Sequence, residues 1–180
     1  MAANKKSRKE KVIEVLNKAR SMELFAIHQY MNQHYSLDDQ DYGELAANMK
    51  LIAIDEMRHA ENFAERIKQL GGEPTAQKDG SVKTGQTVPA IYEGDVDLED
   101  NTIESYNQFI KVCEEEGDNV TARLFERIID EEQAHLNYYE NTAGHIKTLG
   151  DTYLAKIAGT PSDTGPSKGF VTGTGTGTDA

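Results

Sequence analysis

From Lys9 to Tyr35 the apolar positions recur at three- and four-residue steps (Val12, Leu16, Ala19, Ala26/Ile27, Tyr30), with Glu23 in the same register and no Gly or Pro to interrupt. That period predicts a long amphipathic helix, followed by an Asp-rich turn over Ser36–Gly43. A second helix is predicted from about Glu44 to Leu70 on Leu45, Met49, Ile52, Glu56, His59/Ala60, Phe63 and Ile67. It stops at Gly71-Gly72, with Pro74 just beyond. Residues 73–95 hold three Gly and two Pro and read as a long crossover that packs along the helices it joins. A third helix is expected from Asp97, taken as its N-cap, to about Gly117. A fourth is expected from Asp118/Asn119 to about Thr148, and a short one over Asp151–Ile157. Beyond Gly159 the chain ends in a Gly/Thr run with almost nothing apolar, so 1–159 is read as the folded unit and 160–180 as a flexible tail. Two short turns around one long crossover imply an all-α four-helix bundle of up-down, crossover, up-down form with a short C-terminal helix.

Charge narrows the function. The 180 residues carry 19 Lys and Arg against 31 Asp and Glu, a net of −12, the wrong sign for binding a phosphate backbone. No apolar run approaches a membrane span, and the basic, polar stretch Met1–Lys11 lacks the apolar segment of a secretory signal. The single cysteine, Cys113, allows neither an internal disulfide nor a CxxC metal knuckle. A cytoplasmic protein with no nucleic-acid or membrane partner is expected.

The acidic residues include a repeat. Glu23, Tyr30, Glu56 and His59 recur as Glu99, Tyr106, Glu132 and His135, each displaced by 76 positions, so both halves read E-x6-Y-x25-E-x2-H. Seven residues turn a helix through about 700°, which puts each Glu and its Tyr on one side. Glu and His three apart lie about 60° from each other and can face one centre. Glu23 also sits in an apolar stretch, MELFAIHQY, where an unpaired carboxylate is costly unless it binds a metal or keeps its proton. Four carboxylates and two imidazoles on a bundle axis combine hard oxygen with borderline nitrogen donors and suit two divalent iron or manganese ions. They match the ligand pattern of ferritin-like di-iron proteins. Tyr30 and Tyr106 read equally as ordinary core tyrosines bonded to a carboxylate.

The segments MELFAIHQYMNQHY, LIAIDEMRHAENFAERIKQLGG and RIIDEEQAHLNYYE resemble bacterioferritins, most of all those of sulfate-reducing bacteria, and the resemblance runs from about Lys11 to Ala158. It implies that Glu23, Glu56, His59, Glu99, Glu132 and His135 form a di-iron ferroxidase centre. Glu56 and Glu132 would bridge the irons; Glu23 with His59, and Glu99 with His135, would terminate them, with Tyr30 close behind. The implied activity is that of an oxidoreductase acting on metal ions: Fe(II) is oxidised by O2 or H2O2, and ferric mineral is stored in a 24-subunit shell of two-fold dimers. Met57 of DEMRHAE points about 100° away from the ligand before it; by resemblance it is the axial ligand of a haem shared by two subunits, flanked by Leu24 and Met31. Spacing alone favours an apolar dimer contact for Met57; the haem reading comes from the resemblance. Such a haem implies an electron-transfer partner for iron release. Two departures stand out: Leu51 occupies the place of an inner-surface His in some relatives, and Tyr138 that of a Trp. A di-iron peroxidase and a haem module without catalytic metal are the competing readings. His28, His34 and His145 read as solvated, and Cys113 as an unreactive, partly buried thiol.

Overall fold

The structure, a computed structural model, describes residues 2–166 and 168–173. Six helices follow in order: α1 (Ala2–Asp39), α2 (Gly43–Leu70), α3 (Val88–Glu115), α4 (Asn119–Leu149), α5 (Asp151–Ile157) and α6 (Phe170–Gly173). Among the described residues no helix is long and apolar enough to cross a membrane.

Helix ends follow local chemistry. Gly71 takes the left-handed conformation (φ 86°), and the Gly71 and Gly72 amides donate back to Lys68 and Ile67, a glycine-terminated C-cap. At the start of α4, Asp118 accepts from the Thr121 amide at 3.0 Å and holds both carboxylate oxygens 2.9 Å from Arg66 of α2. This one residue caps a helix and ties it to its neighbour. Helix α3 begins at Val88 rather than near Asp97. Thr87 is its N-cap, accepting from the Ala90 amide, and Pro89 lies in the first turn, where proline is pre-organised for a helix. Gly94 is spanned as an interior helical residue because Ile91, Tyr92, Asp95 and Glu99 bury one continuous face.

The crossover is pinned along α1. Asn17 binds Glu73 and Thr75, Arg20 binds Thr75, the Asp79 amide donates to Ser21, and Gln29 grips the backbone of Lys83 through two bonds. Residues 73–86 therefore climb parallel to α1, and α3 enters from the opposite end of the bundle. It descends past Gln33, Tyr30 and Glu23 to Glu116, which pairs with Arg8 and Lys11 near the start of α1. The order is up-down-down-up, with the second hairpin inverted relative to the expectation from sequence. The halves are thus related by a pseudo-two-fold axis across the bundle.

Two apolar clusters fill the bundle. One contains Leu37, Leu45, Met49, Ile52, Ile91, Tyr92, Tyr139 and Ile146; the other contains Val12, Leu16, Phe63, Ile67, Cys113, Phe125 and Ile128. Tyr30 belongs to the first and Tyr106 to the second. Cys113 is wholly buried, and burial pushes its thiol up to about 12. His34 is buried, not solvated: its Nδ1–H donates to the Ala46 carbonyl at 2.8 Å, joining α1 to α2.

Under the crossover, Gln33 donates to Asp95 at 2.9 Å, and burial pushes the Asp95 carboxyl up to about 8 against the help of Gln33 and Lys83. In the unfolded chain an aspartate ionises near pH 4, so between about pH 4 and 8 the folded state holds a proton that the unfolded state has lost, and this contribution to stability falls as pH rises. Asp95→Asn is expected to flatten that part of the curve, measured by urea unfolding across the window.

The composition-based tail is placed in part. Thr160 accepts from the Glu44 amide at 2.7 Å, serving the first turn of α2, and Phe170 packs against the first apolar cluster. The aromatic ring and the unfilled helix terminus supply the contacts that mean composition hides. The repeated Gly/Thr stretch at 174–180 lies outside the described residues.

Candidate metal centre

Each long helix contributes one level of the repeat: Glu23 from α1, Glu56 and His59 from α2, Glu99 from α3, Glu132 and His135 from α4. All six are buried. Their donor atoms form two overlapping sets, Glu23–Glu56–His59–Glu132 and Glu56–Glu99–Glu132–His135. Within each set one atom per residue lies within 4.8 Å of every other. Glu56 and Glu132 are common to both.

The imidazoles sit between the shared carboxylates. His59 Nδ1 is 3.0 Å from Glu56, 3.1 Å from Glu132 and 3.8 Å from Glu23. His135 Nδ1 is 3.1 Å from both Glu56 and Glu132. A single Nδ1–H satisfies one acceptor well, and among the described residues Glu56 Oε1 and Glu132 Oε1 are left without a hydrogen bond. Buried carboxylate oxygens without partners are costly. Two cations, each accepting several donors at once, would satisfy them, so the residues present fit a dinuclear metal site.

Electrostatics describe the same site filled with protons instead. Burial, then the charges of Glu132 and Glu56, push Glu23 well above the usual carboxylate range. Burial with the same two neighbours does this to Glu99. Burial opposes charge on both imidazoles, yet the carboxylates around them hold His59 and His135 well above the usual histidine range. Glu56 goes the other way: burial would raise it, but His135 and His59 hold it well below the usual range.

The tyrosines bond across the repeat. Tyr30 of α1 donates to Glu99 of α3 at 2.5 Å, and Tyr106 of α3 donates to Glu23 of α1. This reciprocal pairing requires α1 and α3 to run antiparallel, because only then does each Tyr stand level with the other helix's Glu. Burial, with the adjacent carboxylate, keeps both phenols well above their ordinary range and therefore protonated.

Two residues absent from the sequence-derived set complete the geometry. His59 Nε2 lies 3.2 Å from Glu131, and His135 Nε2 lies 3.5 Å from Asp55. Asp55 and Glu131 immediately precede the shared glutamates, and they too are 76 positions apart. Each faces the histidine of the opposite half: Glu131 hydrogen-bonds His59, the carboxylate–imidazole arrangement that orients metal-binding histidines, while Asp55 stands at the longer ion-pair distance and His135 Nε2 has no hydrogen bond among the described residues. The repeat of an acid before each ExxH was visible in the sequence, but its target was not.

Met57 stands outside this cluster, 56% exposed on the outer flank of α2. Met31 is partly buried against the first apolar cluster. His28 and His145 are exposed, as expected.

A four-helix bundle with one long crossover and a carboxylate-rich centre on its axis defines a ferritin-like protein, and the ferritin-like domain family matches residues 13–149. Bacterioferritin from Desulfovibrio desulfuricans is 80% identical, over 97% of this chain and 98% of that protein. Bacterioferritin BfrA of Mycobacterium tuberculosis is 34% identical over 83% of this chain and 95% of that protein. The chain belongs to the bacterioferritin family. The X-ray structure of the Desulfovibrio protein, described for its diiron site in different catalytic states, matches with a TM-score of 0.89 and covers 92% of this chain and 98% of its own. The mycobacterial structure matches with a TM-score of 0.78 over 82% of this chain and 93% of its own.

Proposed function

We propose that this chain is an iron-storage ferroxidase. Fe(II) is its substrate, Glu56 and Glu132 bridge two ions, and Glu23 with His59 and Glu99 with His135 terminate them. The observation that carries the reading is the sharing of two buried carboxylates by two four-residue donor sets. Two Fe(II) ions held side by side surrender one electron each. That pair of electrons, with two protons, reduces O2 to H2O2, or reduces H2O2 to two waters. Tyr30 and Tyr106 fix the terminal glutamates and hold their own protons; Glu131 and Asp55 orient the imidazoles. The closed apolar clusters on either side exclude bulk water.

The same family membership supports a shell of 24 copies built from two-fold pairs, with 1–159 as its structural unit. A net charge of −12 on every chain makes such a shell strongly negative, which concentrates Fe(II). Aerobic addition of several hundred Fe(II) per shell is expected to leave soluble, electron-dense cores seen by electron microscopy. A precipitate would favour a di-iron peroxidase that stores little iron.

Removal of an orienting carboxylate is expected to act on affinity. Glu131→Ala should weaken metal binding by about 10–100-fold, read by competition with a chromogenic chelator.

For haem, an exposed thioether on an outer helix flank fits axial ligation at a two-fold contact, with Met57 as the ligand and Leu24 and Met31 beside it. A bound haem would supply one-electron transfer at a potential raised by thioether ligation, which calls for an electron-donating partner during iron release. Met57→Leu is expected to abolish haem absorption while size-exclusion chromatography shows the assembly intact.

A further inference from the structure

The pseudo-symmetry of the metal centre is broken at Asp55. Its counterpart Glu131 has a side chain 39% exposed and meets His59 from the bundle surface. Asp55 is fully buried, and the cover comes from the C-terminal segment. The Val171 amide donates to Asp55 Oδ2 at 2.9 Å, the oxygen that faces His135 Nε2 at 3.5 Å, while Arg58 donates to Oδ1 at 2.9 Å. The Phe170 ring lies 5.1 Å from Tyr138 and edge-on to His135 at 6.0 Å between centroids. Thr172 Oγ1 accepts from Arg58 at 3.5 Å. Gly169 is buried so closely that a Cβ there would overlap the Asp55 carboxylate and the Arg58 guanidinium. Four consecutive residues thus converge on one point, reached through the irregular, largely exposed stretch 161–166.

Resting on the reading of His59 and His135 as ligands, we propose that residues 169–172 are a strap closing the α2/α4 mouth of the metal centre on its His135 side. While the strap is docked, the lone pairs of Asp55 are taken by Arg58 and the Val171 amide, and Phe170 fills the space beside His135. A hydrated ion then has no path there and exchanges through the Glu131 side. When the strap lifts, Asp55 faces solvent next to His135, and the second mouth opens. Phe170 and Val171 are only partly buried and Thr172 is exposed, and short segments with so little buried surface open at low free-energy cost. The repeat makes the two metal positions alike, and the strap makes their exits different.

The test uses the assembled full-length protein, its metal removed and replaced by Co(II), with Gly169→Val and Val171→Pro as variants. The first adds atoms where none fit. The second removes the amide donor to Asp55 at a position in the first turn of a helix, which tolerates proline. Hydrogen exchange over residues 169–172 reports docking, and loss of Co(II) absorption after mixing with excess chelator reports exit. Both variants are expected to expose the strap and to accelerate the slower release phase about tenfold or more, as gating by a lid predicts, at unchanged Co(II) stoichiometry. Three results would overturn the strap: rapid exchange of 169–172 already in the wild type, variants that stay protected, or exposed straps with wild-type release. Failure of the wild type to bind Co(II) would instead sink the ligand reading itself, and the strap with it.

Discussion

Glu56→Gln is expected to slow Fe(II) oxidation by more than about a hundredfold, beyond the effect of losing an outer residue that only orients a ligand. Glu56 belongs to both donor sets, so on the proposed reading a single change weakens both positions and removes the oxygens that would hold the ions side by side. Glu23→Gln makes the contrast, because Glu23 belongs to one set only. It should leave the Glu99–His135 position occupied, with close to one metal per chain against two in the wild type. Stopped-flow absorbance after mixing with O2 gives the rate, metal analysis gives the stoichiometry, and far-UV circular dichroism confirms that the helices persist. A wild-type oxidation rate in Glu56→Gln would exclude a shared bridging role.

The second large effect is on stability. A divalent metal at a hundredfold excess over its Kd adds about 2.7 kcal/mol, which for a chain of this size raises Tm by about 5–10 °C. The gain must vanish as pH falls. Without metal, Glu23, Glu99, His59 and His135 are all held above their ordinary ranges, by burial and neighbouring carboxylates for the glutamates, and by surrounding carboxylates against burial for the imidazoles. These groups bind metal only after releasing their protons, so metal uptake expels protons and acid competes with it. Calorimetric scans with Co(II) should show the Tm increment shrinking steadily from pH 8 towards pH 5. Titrations in buffers of different ionisation enthalpy should show net proton release. An increment independent of pH would mean that metal binds elsewhere.

Much of the site was legible because helical spacing is local. Glu56 and His59 must share a face whatever surrounds them, and a second ExxH preceded by its own Glu and Tyr at the same offset is hard to obtain without a common centre. The start of α3 was less legible. Gly94 and Pro89 resemble loop punctuation, yet Pro89 falls in the first helical turn and Gly94 is carried by the buried face of Ile91, Tyr92, Asp95 and Glu99. Contacts made by part of the tail were hidden for a related reason. Mean composition over 160–180 conceals Phe170, whose ring finds Tyr138, and Thr160, whose hydroxyl serves α2. His34 looked like one more polar histidine until the Ala46 carbonyl supplied its partner.

The sequence by itself determined four long helices, the long crossover, and the six buried donors with their levels along the bundle. Those follow from periodicity, helix-ending glycines and a 76-residue repeat, all properties of residues near one another in the chain. Only the tertiary structure decided which way the second hairpin runs. That direction depends on how far the crossover climbs along α1, and it fixes everything that crosses between halves: Tyr30 on Glu99, Tyr106 on Glu23, Glu131 on His59, Asp55 on His135. The same holds for the strap over Asp55. Spacing specifies the face a side chain presents, whereas its partner depends on the orientation of a segment far away in sequence.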